Sequence, residues 1–417
     1  MNFRNIVLAA ITGFFLIGSV ALANSNDALL NLLIRKGVIT EAEAAEVAAE
    51  LSAASEGAKA RPELRAESEE DDATRETEVI KRVKFDAKGK DTVELRFSGR
   101  MHFQYDHLSS DYTGTKDTAN HFYFRRLFLG VEADLDNGIY AKSVLNFADD
   151  RFAIDKAFFG YTFNEVFDIQ LGYQKVPFGF EETSSSARIP TIERSAANRF
   201  LANDIDFSAR HAGIHSSGRL GAGFSYAVAF VNGAQGEGSR LLGRSEASND
   251  PALFARVQWS VNQLRLGADA GRQANNAVTG EDVVALTAYA NYKLADWKFL
   301  GEYFVADMDA VGDFKGYALR ASYRIKKFEP VFRYAYLETD SFVIDLPELI
   351  RRAPEPGSAF DTIPAGDNEL TSFYFGLNYH HNRAVKFMSG YEIAEGEADN
   401  GDNYNVDGFR ARVQLLW

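Results

Sequence analysis

The final nine residues alternate apolar and polar almost to the last atom. Phe409, Ala411, Val413, Leu415 and Trp417 share one face, and Arg410, Arg412 and Gln414 share the other. Period-two sorting marks an extended strand, because successive side chains leave opposite faces. The same sorting recurs from residue 92 onward. Val93, Leu95, Phe97, Gly99, Met101, Phe103 and Tyr105 alternate with Glu94, Arg96, Ser98, Arg100, His102, Gln104 and Asp106. A helix would scatter these residues around its surface. Sixteen such segments start near residues 92, 120, 138, 151, 166, 209, 221, 251, 261, 281, 296, 313, 327, 369, 383 and 404. An even number lets an antiparallel sheet close on itself without edges.

Which medium surrounds that sheet follows from the faces. Soluble sandwiches and propellers also alternate, but their outward face is charged. Here the outward faces hold long uncharged runs, such as Phe167, Ile169, Leu171 and Tyr173, or Leu264, Leu266, Ala268 and Ala270. Those faces suit lipid. The reading is all-β: a sixteen-stranded antiparallel transmembrane β-barrel over 92–417, with a small N-terminal helical segment before it. Tyr and Phe near the strand ends fit the aromatic girdles of a membrane interface.

Connections also sort by length. Asp136-Asn137-Gly138 and Ala295-Asp296 are tight, whereas 178–208, 234–250 and 342–368 are long. Short turns on one side and long loops on the other are the expected asymmetry of an outer-membrane barrel. Segment 178–208 carries Phe178, Phe180, Ile189, Ile192, Phe200, Leu201 and Ile205 among its charges. That apolar content predicts that it folds back inside the barrel.

The N-terminus reads as a secretory signal over 1–23, with Arg4, an apolar run from Ile6 to Val20, and Ala21-Leu22-Ala23 as the cleavage site. Residues 24–57 read as helical. Thr40 and Glu43 form a capping box for an alanine-rich helix, and a spacer, a coiled coil and a cell-wall contact stay open. Residues 58–91 are highly charged and read as a flexible linker. The N-terminal segment is expected in the periplasm. With no cysteine in the chain, no disulfide or thiolate metal site is possible.

Several stretches then resemble a known family. Phe124-Arg125-Arg126-Leu127-Phe128-Leu129-Gly130 resembles the FRRxxLG strand of the phosphate-selective porin O and P family. Asp155 to Tyr161 is similar to its DAxxxY segment. Gly172 to Glu181, with Lys175 and Pro177-Phe178-Gly179, looks like its PFG motif, and Ile192-Glu193-Arg194-Ser195 like the stretch that follows. The resemblance implies an outer-membrane porin, usually trimeric, whose third extracellular loop enters the pore. It also implies passive uptake of small anions, phosphate or polyphosphate above all.

A pore needs only a lining of the right sign. Parity assigns an inward basic set of Arg96, Arg100, Arg126, Lys142, Arg256, Arg265, Lys298, Arg320, Arg324, Arg333, Lys386, Arg410 and Arg412. The inward acids are Glu94, Asp106, Glu132, Asp134, Asp155, Asp168, Asp269, Glu302 and Glu392. That is thirteen against nine in a chain of net charge -14. Lys175, Arg188, Arg194 and Arg199 are the candidates on segment 178–208, and Lys175 and Arg194 occupy motif positions. Each also has a structural reading, as an ion-pair anchor of the segment. Arg410 and Arg412 are expected to face Arg96 and Arg100 across the closing seam, as part of a basic track.

The expected function is passive diffusion of small anions across the outer membrane. The alternatives are a general diffusion porin without anion preference and, less favoured, a barrel enzyme or adhesin. No catalytic constellation, cofactor motif or nucleic-acid signature is present. The expected partners are membrane lipid, anionic solutes and two further copies of the chain.

Overall fold

A computed structural model describes residues 83–86, 92–112, 115–135, 137–148, 152–208, 210–233, 250–345, 362–398 and 401–417. The expected signal sequence and the helical segment at 24–57 lie outside the described residues. A short strand, β1 (Val83–Asp86), comes first. Sixteen strands follow: β2 (Thr92–Tyr112), β3 (Thr115–Leu135), β4 (Ile139–Asn146), β5 (Ala153–Thr162), β6 (Asp168–Lys175), β7 (Arg210–Gly221), β8 (Phe224–Asn232), β9 (Pro251–Val261), β10 (Leu264–Gln273), β11 (Val283–Leu294), β12 (Trp297–Asp307), β13 (Asp313–Tyr323), β14 (Phe328–Asp345), β15 (Thr362–His380), β16 (Val385–Glu397) and β17 (Asn403–Leu416).

Each of the sixteen pairs antiparallel with its neighbour in sequence, and β17 pairs back to β2, from Tyr404 opposite Tyr112 to Leu416 opposite Arg100. The sheet is therefore a closed barrel. Period-two sorting places the strand starts well, because only one parity of each strand can meet lipid. On β15, for example, Phe375 and Leu377 are exposed, whereas Leu370, Ser372, Tyr374 and Asn378 are buried.

Two expectations need correction. Residues 83–86, read as part of a charged linker, form a strand that pairs with β2, Val83 opposite Leu95 and Asp86 opposite Thr92. This strand takes up the edge of β2 beyond the end of β17, where an exposed ladder would otherwise remain. The connection at 342–368 is also shorter than expected, because β14 runs on to Asp345 and β15 begins at Thr362.

Among several register shifts in the sheet, β-bulges in β3 and β5 break the parity beside the β6–β7 connection. His102 pairs with Arg126 and Phe103 with Phe124, so Arg125 is an extra residue in β3. Val144 pairs with Lys156 and Leu145 with Ile154, so Asp155 is extra in β5. A bulge turns two successive side chains to the same side. Arg125 and Arg126 are accordingly both buried, and Lys156 is buried beside a well-covered Asp155.

Candidate functional site

The connection between β6 and β7 is the most buried stretch of the described residues. Val176, Phe178, Phe200, Leu201, Ile205 and Phe207 are fully covered, and pack with Phe254, Phe304, Phe314 and Leu337. Phe200 stacks on Phe314 with ring centroids 4.3 Å apart, and Phe178 meets Phe207 edge-on at 5.1 Å. Each such side chain contributes about 1.5–3 kcal/mol by leaving solvent. The Pro177-Phe178-Gly179 motif has a local reason. Gly179 turns the chain at φ 77°, a value that favours glycine, and its N–H donates to the Asp269 carboxylate at 2.8 Å.

Polar contacts tie the segment to β2 and β3, to β9 and β10, and to β12 through β17. Glu302 accepts from the backbone N–H groups of Phe180 and Glu181. Arg320 donates to Glu181 at 2.8 Å, and Arg256 to the Thr183 hydroxyl at 2.9 Å. Arg333 donates to the Glu193 carbonyl at 2.7 Å, Asn378 to the Pro190 carbonyl and Lys386 to the Ala187 carbonyl. Arg125 and Arg412 both donate to the Glu193 carboxylate, at 3.0 and 2.5 Å. Arg100 reaches the hydroxyls of Ser185 and Ser186 at 2.9 and 2.8 Å.

Within the segment Glu182 is the hub. Lys175 lies 2.6 Å from its carboxylate, Arg194 at 3.3 Å and Arg199 at 3.4 Å. Burial pushes the Glu182 carboxyl up, but Arg194, Lys175 and Arg199 outweigh it and hold the group well below the usual carboxylate range. Burial likewise opposes ionisation of Glu193, and Arg125 and Arg412 overcome it. A depressed folded-state pKa contributes stability that is present above the unfolded value and lost as pH falls through the folded one. The part of the anchoring that Glu182 and Glu193 supply is therefore expected to stay constant from neutral pH down to about 4.5, the ordinary glutamate value, and to weaken only in stronger acid. Single-channel conductance in planar bilayers checks this: Glu182→Gln and the wild type should differ by the same factor at pH 7 and pH 5, and a factor that changes between them would contradict it.

Two cavities flank the hub. One, of about 250 Å³, is lined by Arg100, Arg125, Arg126, Lys175, Arg194, Arg199 and Arg210, against Asp155 and Glu182. The other, of about 580 Å³, extends toward the short turns at Glu165 and Gly221–Gly223. Its cations are Lys142, Lys156, Lys175, Arg219, Arg256 and Arg265, and its acids Glu165 and Asp168. Lys175 and Thr183 border both cavities. Arg126 is buried in the smaller one, and its Nη1 makes no hydrogen bond among the described residues.

The candidate residues thus divide. Arg100, Arg126, Lys175, Arg194 and Arg199 meet at the smaller cavity, and Lys142 lines the larger. Arg320, Arg410 and Arg412 line neither. Arg410 lies within 4.0 Å of both Asp106 and Glu392, and Arg412 binds Glu193 and Gln104. The expected arginine track across the seam is corrected by the register: Arg410 stands opposite Asp106, Arg412 opposite Gln104, and Arg100 opposite Leu416. Arg96 pairs with Glu132 and Asp134 toward the short-turn end. Arg324 donates to the Lys326 carbonyl in the β13–β14 turn, and Arg188 borders neither cavity. Parity missed Arg125 and Lys156, which the bulges turn inward. The doubled arginine of Phe124-Arg125-Arg126 was the available signal for the first.

Comparison with known proteins agrees with this geometry. Residues 95–284 match the family described as phosphate-selective porin O and P. Porin O of Pseudomonas aeruginosa is 24% identical over 398 residues, covering 78% of this chain and 88% of its own length. The outer membrane channel DcaP of Acinetobacter baumannii shares the fold with TM-score 0.54 at 13% identity, over 80% of this chain and 99% of that one. Salmonella typhi OmpF, in complex with daunomycin, gives TM-score 0.54 at 12% identity, over 80% of this chain and all of its own.

Proposed function

We propose that this chain, which belongs to the phosphate-selective porin O and P family and is an outer-membrane porin, prefers small anions and uses segment 178–208 as its inward constriction. The observation that carries the reading is the sign of the two cavities. Seven cations face two acids in the smaller and six face two in the larger, although the whole chain is net acidic at -14. Basic walls in a low-dielectric enclosure concentrate anions and lower their barrier to passage.

The division of labour is between wall and segment. Arg320, Arg333, Arg410 and Arg412 hold or back the segment, while Arg100, Arg126, Lys142 and Lys156 present charge to the passing solute. Guanidinium forks can meet a phosphate or carboxylate through paired hydrogen bonds. Lys175 stands between the two cavities and is the step from one to the other. Three copies of the chain assemble in the outer membrane, with the N-terminal segment in the periplasm.

Reversal potential across a chloride gradient tests the preference. The wild-type protein is expected to pass anions over cations. Arg126→Glu should cut the anion-to-cation permeability ratio several-fold, because it replaces a buried positive charge at the narrow cavity by a negative one. Cation preference in the wild type would sink the reading. An absence of preference would leave the general diffusion porin, and block by added phosphate would separate a phosphate site from a general anion pore.

A further inference from the structure

The two cavities differ in chemistry as well as in size. The smaller is walled by cations, carboxylates, amides and hydroxyls, with Phe128 beside them. At about 250 Å³ it falls below the roughly 300–1,000 Å³ of sites that take small organic molecules. The larger, at about 580 Å³, falls inside that range, and its walls mix the cations with Tyr140, Phe158, Val176, Pro177 and Tyr226. Apolar walls with a few placed polar groups are the usual make-up of an organic ligand's site.

The aromatic wall is held from behind. Phe159 points outward and is 56% exposed, and its neighbour Phe158 turns into the lumen. Tyr140 and Phe158 meet edge-on, with ring centroids 6.3 Å apart and planes at 90°. Tyr140 lies over Gly160, its register partner, where a Cβ would fall 2.5 Å from the ring. The Tyr140 hydroxyl donates to Asp168 at 2.6 Å and accepts from Gln170 at 2.8 Å. These bonds fix the ring on the wall. Phe158 is half-buried and borders the cavity. An edge-on pair leaves a corner in which a third ring can lie offset or edge-on.

A positive charge stands beside the rings. Lys142 is opposite Phe158 in the β4–β5 register and lines the same cavity. Side chains so opposed have Cβ atoms roughly 5 Å apart. Lys142 is half-buried and makes no hydrogen bond or ion pair with a described residue. Other cations of the cavity are already held, Lys175 by Glu182 and Arg256 by Asp269.

We propose that the larger cavity binds small aromatic carboxylates, with the ring against Phe158 and Tyr140 and the carboxylate at Lys142. The site rests on the anion-preferring reading of the pore, and extends its cargo from inorganic ions to organic acids.

Benzoate and acetate carry the same charge at neutral pH and differ by the ring. Each is titrated against the full-length protein in planar bilayers under potassium chloride, and the concentration that halves the chloride current is read. Benzoate is expected to act at several-fold lower concentration than acetate in the wild type. Phe158→Ala should bring that ratio close to one. Phe158→Leu keeps apolar bulk, covers a failure of the alanine variant to fold, and should lower the ratio part of the way. Lys142→Gln should raise both half-blocking concentrations together. A wild-type ratio of one, or a ratio untouched in both Phe158 variants, would overturn the aromatic site. Reversal potential in the same membranes keeps the two readings apart. Cation preference in the wild type would overturn the anion reading beneath the site, whereas anion preference without a benzoate advantage would overturn the site alone.

Discussion

Glu193→Ala is expected to detach the 176–208 segment from the wall and to raise single-channel conductance, while the barrel itself persists. Glu193 is 5% exposed and accepts from Arg125 and Arg412 at once, while its own carbonyl accepts from Arg333. Truncation leaves two guanidiniums buried without a carboxylate, beside Arg126. Removing one partner of a buried pair costs about 3–5 kcal/mol, mostly through the uncompensated charge that remains. The strands keep their ladder hydrogen bonds, so the cost falls on the segment. Larger, noisier openings and new proteolytic cleavage between 185 and 200 should appear, with heat-modifiable migration unchanged. Glu193→Gln keeps the shape and one acceptor, and should be intermediate. Wild-type conductance together with wild-type protease resistance in Glu193→Ala would reject the anchoring role.

How far such a site can be read from sequence depends on the range of the interaction. Period two is a local property, and it placed fourteen of the sixteen strand starts within three residues, but set β3 near 120 and β15 near 369 where the strands begin at Thr115 and Thr362. It carries no information on which residue stands opposite which in a distant strand. Arg410 and Arg412 are inward as expected, yet the register brings them against Asp106, Gln104 and Glu392, and the buried segment covers them. Their sign suggested a pore lining; their place makes them supports. The bulges mark the second limit. One extra residue at Arg125 or Asp155 reverses the parity of everything beyond it in its strand, and no local pattern announces it apart from the two like charges of Arg125-Arg126 at the first. Glu193 was one acid among several in the segment. Its importance comes from strands β3, β14 and β17, which meet only after the barrel has closed.

Closure itself sets the second large effect: Gly99→Val is expected to abolish the folded barrel. Gly99 and Trp417 exchange backbone hydrogen bonds, Gly99 N–H to Trp417 O at 2.6 Å and Trp417 N–H to Gly99 O at 3.1 Å. The Trp417 indole lies directly over the Gly99 α-carbon, so that a Cβ there would fall 2.0 Å from the ring. No side chain fits without moving the indole, which packs over the terminal pair of the β17–β2 ladder. An unclosed barrel leaves two long edges, which lipid cannot satisfy and which pair with other chains instead. The heat-modifiable band of Gly99→Val should vanish and aggregates should replace it. The clash predicts its own suppressor. Trp417→Ala removes the ring and gives a Cβ at position 99 room, so the double variant should regain more folded barrel than Gly99→Val alone. That coupling, of about 0.5–3 kcal/mol for contacting residues, is absent if glycine is needed at 99 for any reason other than the indole. A double variant no better folded than Gly99→Val would therefore refute the contact as the cause.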